Sequence, residues 1–209
     1  MADLEGLTAA IEAGDRAAAG RETQQAIDAG LNPQSILDAM TAAMNTIGGR
    51  FQRAEIFVPE MLISARAMKE ATALLEPILV AADIRPEATA VIGTVKGDLH
   101  DIGKNLVGMM WKGANIEVID LGTNVPAERY VEAARSHGAQ IIGISALLTT
   151  TMTGMGDVVA AVRQAGMGDV KIIVGGAPVT ADFARKIGAD GYAPDAGSAV
   201  EVAKAALAR

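Results

Sequence analysis

The run Gly97-Asp98-Leu99-His100-Asp101-Ile102-Gly103-Lys104-Asn105 carries one of only two histidines in the chain and follows the apolar stretch Ala90 to Val95. A short apolar stretch handing over to a helix places this run beyond the carboxyl end of a buried strand. In open α/β sheets ligands settle in the crevice there, and the loops supply the chemistry. Residues two apart in extended backbone point to the same side, so Asp98 can lie beside His100 and accept a proton from the ring nitrogen that His100 does not use. A metal-bound imidazole usually has such a carboxylate behind it, which fixes its tautomer and raises its basicity. Gly103 lacks a Cβ where the helix begins and leaves room for something bulky to approach the backbone. Asp101 points away from the pair if the backbone is extended, and reads as solvated or helix-capping. The bland alternative for His100 is a hydrogen-bonding histidine in a loop. His137 is that kind of residue: it lies in Ala134-Arg135-Ser136-His137-Gly138, at a predicted helix end, where a cationic side chain suits the dipole.

The pattern Asp98-x-His100-x-x-Gly103 resembles the lower-ligand signature of the cobalamin-binding domains found in methionine synthases and in corrinoid methyl-carrier proteins. Two further segments carry the resemblance. The stretch Gly143-Ile144-Ser145-Ala146-Leu147-Leu148-Thr149-Thr150-Thr151 resembles the family's Ser-x-Leu loop, and Val174-Gly175-Gly176-Ala177 its Gly-Gly turn; both follow predicted strands in the right order. The resemblance implies a cobalamin or related corrinoid, carried as methylcobalamin during turnover, with His100 as the protein's ligand to cobalt. Asp98, Asp101, Ile102 and Gly103 then belong to the cofactor site with it. Ser145, Leu147 and Thr149 face the nucleotide tail, although hydroxyls at a strand end can equally satisfy backbone groups. Thr151 stands where the family extends the histidine–aspartate pair with a serine, a departure that keeps the hydroxyl and adds a methyl. Gly175 and Gly176 make a tight turn or let a flat ring lie against backbone. Tyr192 and Ala196 fall where the family approaches the tail. A zinc or di-iron centre needs three or four converging ligands, and only this one local cluster is visible. A macrocycle that already supplies four nitrogens needs one more from the protein, which favours a corrin.

These loops need a scaffold, and the second half of the chain supplies its pattern. Brief apolar runs at Ala90 to Val95, Ile116 to Asp120, Ile141 to Ser145, Lys171 to Val174 and Gly191 to Tyr192 alternate with helical segments. Those helices begin near Gly103, Pro126, Thr151, Pro178 and Gly197. Strand and helix alternating in this way predicts a five-stranded parallel sheet covered on both faces, an α/β, Rossmann-like (flavodoxin-like) domain over residues 88–209.

The first half has helical spacing instead. Ile36, Leu37, Met40, Met44 and Ile47 form one stripe; Val58, Met61, Leu62, Ala65, Met68, Leu75 and Leu79 form another. Asp15 can cap a second helix that stops near Gly30, and Asn32 followed by Pro33 reads as an N-cap with a first-turn proline. Gly48 and Gly49 are expected to mark the next break, and Pro59 suits the first turn of the last helix. The expectation is a four-helix bundle within residues 1–84, with residues 82–88 as linker and hinge. The segment Gly49 to Met68 resembles the helical cap that precedes the cofactor domain in methyl-transferring corrinoid proteins. By that resemblance Phe51, Val58 and Met61 cover the upper face of the corrin, although a Met or Val at helical spacing is more often bundle core.

Composition narrows the function classes. Half of the 209 residues are hydrophobic but only 3% are aromatic, so the core is expected to be Ala, Ile, Leu, Val and Met. A net charge of −7 argues against nucleic acid as a partner. The absence of cysteine excludes disulfides, thiolate metal sites and cysteine nucleophiles. With no secretory pattern and no apolar run of bilayer length, no membrane association is expected, and the expected location is cytoplasmic. The resemblance implies a methyl-carrying component of a methyltransferase system rather than a complete enzyme. Its implied partners are a substrate-specific methyltransferase that loads it, a second methyltransferase serving tetrahydrofolate or coenzyme M, and a reductive activase. Methanol, methylamines, glycine betaine and methoxylated aromatics all serve related carriers as donors. Three rival readings are a subunit of an adenosylcobalamin-dependent mutase, a cobalamin-sensing regulator, and a metal-free flavodoxin-like or receiver-type domain in which Asp98 and Asp101 matter and His100 is incidental.

Overall fold

Side-chain caps decide where the first half of the chain turns. In the computed structural model, which describes residues 4–208, α1 (Glu5–Glu12), α2 (Arg16–Asp28), α3 (Pro33–Gln52) and α4 (Val58–Ala81) follow in order. The Asp15 carboxylate accepts from the Ala18 N–H at 2.9 Å, and the Asn32 side-chain oxygen accepts from the Gln34 N–H at 2.8 Å with Pro33 in the first turn. Each bond satisfies an N–H that the first turn leaves without a helical partner. The Glu60 carboxylate does the same for the Phe57 N–H at the head of α4, at 3.1 Å.

The Gly48–Gly49 break does not exist. α3 runs through both glycines to Gln52 and ends where Ala54 takes a left-handed conformation, φ +55°, with the Glu55 N–H bonded to the Arg50 carbonyl. A mid-helix glycine costs only about 1 kcal/mol relative to alanine. The buried stripe of Ile36, Leu37, Met40, Met44 and Ile47 outweighs two of them. α1 packs on α2 and α3, and α4 packs on the same two helices, with Met61, Met68, Leu75 and Leu79 turned inward.

Between Pro86 and Glu87 the chain passes into a second compact unit. Here β1 (Ala88–Thr94), β2 (Ile116–Asp120), β3 (Ile141–Ser145), β4 (Lys171–Gly175) and β5 (Gly191–Ala193) form one parallel sheet in the order β2-β1-β3-β4-β5. The crossovers are α5 (Ile102–Gly113), α6 (Ala127–His137), α7 (Gly154–Gln164) and α8 (Ala181–Ile187), and α9 (Ala196–Leu207) closes the chain. α7 and α8 each begin three residues later than their sequence signals. Residues 149–153 turn before α7, and Thr180 rather than Pro178 heads α8, its hydroxyl accepting from the Phe183 N–H.

The central strands β1, β3 and β4 are buried on both faces, as the interior of a parallel sheet requires, while the edge strands β2 and β5 are only partly covered. Val91, Ile142, Ile144, Ile172 and Val174 share a core with α6, α7 and α8. The other face receives α5 and α9, joined where the Trp111 indole donates to the Ala199 carbonyl at 2.9 Å. Trp111 and Tyr130 are both fully buried, so the core is not purely aliphatic as composition suggested. The Trp111 ring lies over β3: a Cβ added to Gly143 would sit 2.7 Å from the indole. Gly143→Ala is therefore expected to destabilise the protein by about 1–3 kcal/mol through overpacking, read from the urea midpoint; an unchanged midpoint would show that the indole can shift freely.

Candidate functional site

The strand order reverses direction between β1 and β3: the chain leaves β1 toward α5 and β2, and leaves β3 toward α7 and β4. A crevice opens at such a switch point. The two loops that border it, residues 95–101 and 146–153, start together, since the Val95 N–H donates to the Ser145 carbonyl at 3.0 Å.

Asp98 joins them. Its side chain is fully buried, and both carboxylate oxygens are used. Oδ1 accepts from the His100 N–H at 3.0 Å and lies 2.7 Å from His100 Nδ1. Oδ2 accepts from the Leu147 N–H at 2.8 Å and from the Thr151 hydroxyl at 2.7 Å. Burial opposes the charged carboxylate, but the bonds from Thr151, Leu147 and His100 outweigh it and hold the group well below the ordinary range for an aspartate. The carboxylate thus stays ionised and acceptor-only, so Nδ1 is the ring nitrogen that donates to it and Nε2 is the one turned away from this bond.

His100 is half exposed, at 50% of its side-chain surface, and Nε2 has no protein partner among the described residues. Large apolar side chains accompany it into solvent: Leu99 and Ile102 are 72% and 73% exposed, and Leu147 and Leu148, on the loop that Asp98 grips, are also exposed. Clustered exposure of this kind marks a surface meant to be covered. A Cβ placed on Gly103 would meet nothing within 4 Å, so no contact within the protein demands that glycine. Among the described residues no group of three or more acidic or histidine side chains could hold a metal ion alone. One imidazole nitrogen, an apolar rim and an empty approach over Gly103 together fit a metal whose other ligands arrive with it in a large flat molecule.

The remaining sequence candidates divide. Thr151 reaches Asp98 despite its extra methyl. Asp101 is exposed, and its Oδ2 accepts from the Asn105 side chain at 3.1 Å. The Ser145 and Thr149 hydroxyls make no protein bond among the described residues. Gly175 and Gly176 have a reason inside the protein: a Cβ would lie 2.9 Å from the Ala193 carbonyl oxygen at the first and 1.9 Å from that of Ala146 at the second, where φ is +126°. Tyr192 packs against the core on the α6–α8 side, Ala196 is buried at the start of α9, and neither bonds to the Asp98 cluster. In the other unit Phe51 and Val58 are half-buried, and Met61, 1% exposed, is an ordinary core side chain. His137 behaves as structural, its Nδ1–H donating to the Ala133 carbonyl at 3.0 Å.

Sequence reasoning missed four contributors: the Leu147 N–H, the buried Thr94 hydroxyl that donates to the His100 carbonyl at 2.9 Å, Asn124, and the Lys104–Asp120 pair. The first is a backbone group and leaves no mark in the sequence. Lys104 did leave one, as a charge on the buried side of α5, whose other lysine, Lys112, is exposed.

Comparison with known proteins agrees with this geometry. Two family models, each described as a B12 binding domain, match residues 88–201 and 3–76. Dimethylamine corrinoid protein 3 of Methanosarcina acetivorans is 40% identical, over 99% of this chain and 100% of its own. A cobalamin-binding protein from Desulfitobacterium hafniense, solved by crystallography, superposes with a TM-score of 0.81 at 29% identity, covering 99% of both chains. A chain of the methanol:cobalamin methyltransferase complex from Methanosarcina barkeri superposes with a TM-score of 0.87 at 29% identity, over 98% of this chain and 79% of that one.

Because the Asp98 carboxyl is depressed in the folded state, the unfolded chain takes up its proton first as pH falls. The stability it contributes is whole above about pH 4 and drains away below, toward the native value. Asp98→Asn is expected to cost about 2–3 kcal/mol at pH 7, because a side-chain amide cannot accept from all four donors. Denaturant titrations at neutral and acid pH should show the gap between the two proteins closing as pH drops; a gap independent of pH would mean that the carboxylate is not the group responsible.

Proposed function

The chain belongs to the B12-binding family of corrinoid proteins, and from that membership we propose that it works as a methyl carrier. It accepts a methyl group from a substrate-specific methyltransferase and delivers it to a second methyltransferase serving tetrahydrofolate or coenzyme M. The observation that carries this reading is the half-exposed His100 ring, locked through Nδ1 to a buried carboxylate and presenting Nε2 among exposed apolar side chains. When bound, the corrinoid supplies the cobalt on which the methyl group rides.

The protein's own work is ligation, orientation and exclusion of water. His100 Nε2 is the candidate ligand to cobalt. Asp98, with Thr151 and the Leu147 N–H behind it, fixes the ring's direction and tautomer and stands ready to share a proton if the ring is released. Leu99, Ile102, Leu147 and Leu148 offer apolar cover, and Gly103 leaves space. The hydroxyls of Ser145 and Thr149, unpaired among the described residues, are suited to a nucleotide tail. In the bundle, the half-buried Phe51 and Val58 remain candidates for shielding the methyl-bearing face, whereas Met61 belongs to the bundle core. No side chain of this reading acts as a general acid or base on substrate, which suits a carrier that depends on its partners for specificity. A loading methyltransferase is the first such partner; a reductive activase is a further one. Relatives named for dimethylamine make methylamines the first donors to test. The described residues contain no helix long and apolar enough to cross a membrane.

Reconstitution with hydroxocobalamin should give a coloured protein whose visible spectrum reports histidine ligation. His100→Ala should lose that spectral form and bind at least roughly tenfold more weakly, and wild-type colour and affinity in this variant would reject the assignment. Gly103→Trp should block loading while leaving the melting temperature of the cofactor-free protein near that of the parent, since a Cβ placed there meets no atom of the described residues within 4 Å. Methyl uptake from dimethylamine, trimethylamine or methanol, each with its cognate methyltransferase, identifies the donor; uptake from none of the candidate donors would sink the carrier reading.

A further inference from the structure

The Asp98 carboxylate fixes the histidine loop from the β3 side. From the β2 side a second set of bonds reaches the same segment. The Asn124 side-chain oxygen accepts from the Gly97 N–H at 2.8 Å, and the Asn124 N–H donates to the Asp98 carbonyl at 2.9 Å. Asn124 grips the chain on both sides of the Gly97–Asp98 junction, and it does so from the left-handed region, φ +54°. Asparagine tolerates that conformation better than most residues.

The loop that presents Asn124 is itself anchored. Asp120, the last residue of β2, accepts from the Gly122 N–H at 2.8 Å through Oδ1. Lys104 holds Asp120: its Nζ lies 2.7 and 2.6 Å from the two carboxylate oxygens, and its side chain is only 2% exposed. Lysine is almost never buried to that extent without a partner. It sits in the first turn of α5, four residues after His100. The bonds therefore close a ring that runs from the His100 loop through Lys104, Asp120 and Asn124 back to Gly97. Only the lysine is buried, since the Asp120 side chain keeps 45% of its surface exposed, so the pair adds modest net stability and its use here is to fix geometry.

We propose that Asn124, braced by the Lys104–Asp120 pair, is a positioning residue that sets where His100 presents Nε2, so that the firmness of histidine ligation is decided from the β2 loop as well as from Asp98. The inference rests on His100 being the ligand to cobalt, and the test separates the two. Protein labelled with nitrogen-15 histidine is loaded with cob(II)alamin and its electron paramagnetic resonance recorded. A nitrogen-15 lower ligand splits the cobalt lines in two, whereas the nitrogen-14 base of the cofactor splits them in three.

The unsubstituted protein should show the doublet. Asn124→Gly keeps the backbone conformation and removes only the grip on Gly97; it should lose most of the doublet and bind hydroxocobalamin roughly tenfold more weakly, with the melting temperature of the cofactor-free protein little changed. Asn124→Asp, which retains an acceptor oxygen, should recover the doublet. Lys104→Met should give a smaller loss of the same kind. A full doublet with unaltered affinity in both Asn124→Gly and Lys104→Met overturns the inference while leaving His100 ligation standing. A missing doublet in the unsubstituted protein removes His100 ligation, and this inference with it.

Discussion

A carboxylate with no exposed surface can exist only if donors surround it, and the site follows from that requirement. Asp98 draws its hydrogen bonds from His100 in its own loop and from Leu147 and Thr151, 49 and 53 residues further on in the loop after β3. They meet only if β1 and β3 are paired in register, with Thr94 opposite Ser145. A slipped sheet would leave the charge buried without partners, at a cost of several kcal/mol. The same contact that stabilises the strand ends also orients the imidazole. The ring's direction is fixed by bonds within the protein, so binding need spend little free energy on ordering it.

Much of this was legible in the chain, for reasons that can be named. The central strands were visible because a sheet buried on both faces needs continuous apolar runs such as Ile141–Ser145, whereas the edge strand Ile116–Asp120 carries exposed charges at Glu117 and Asp120 and shows a weaker run. The bundle was visible through Asp15, Asn32 and Pro33, whose side chains act within four residues of themselves. Gly48 and Gly49 misled because glycine signals a break only where tertiary packing does not overrule it, and here the α3 stripe does. Asp98 and His100 could be paired from an alternation of two. Thr151 could be joined to them only by family resemblance, since no local pattern links residues so far apart. Gly175 and Gly176 were recognised as special, but their neighbours, the carbonyls of Ala193 and Ala146, emerge only once the strand tips are assembled.

The two histidines show how little residue type decides. His137 and His100 both use Nδ1 toward an oxygen close by in sequence. At His137 that oxygen is a helix carbonyl one turn back, and the bond closes the end of α6 beside Gly138. At His100 it is a buried carboxylate, tied in turn to another loop, and the far nitrogen looks out among leucines and an isoleucine. The difference lies in what stands behind the ring rather than in the ring itself.

Trp111 is the chain's single tryptophan, clamped between the sheet and α9 in the same domain as the His100 loop. Indole emits in the near ultraviolet, where corrins absorb strongly, and energy passes efficiently between chromophores held within one small domain. Occupancy of the crevice should therefore dim the protein's own light, giving a label-free gauge of cofactor uptake and loss during turnover.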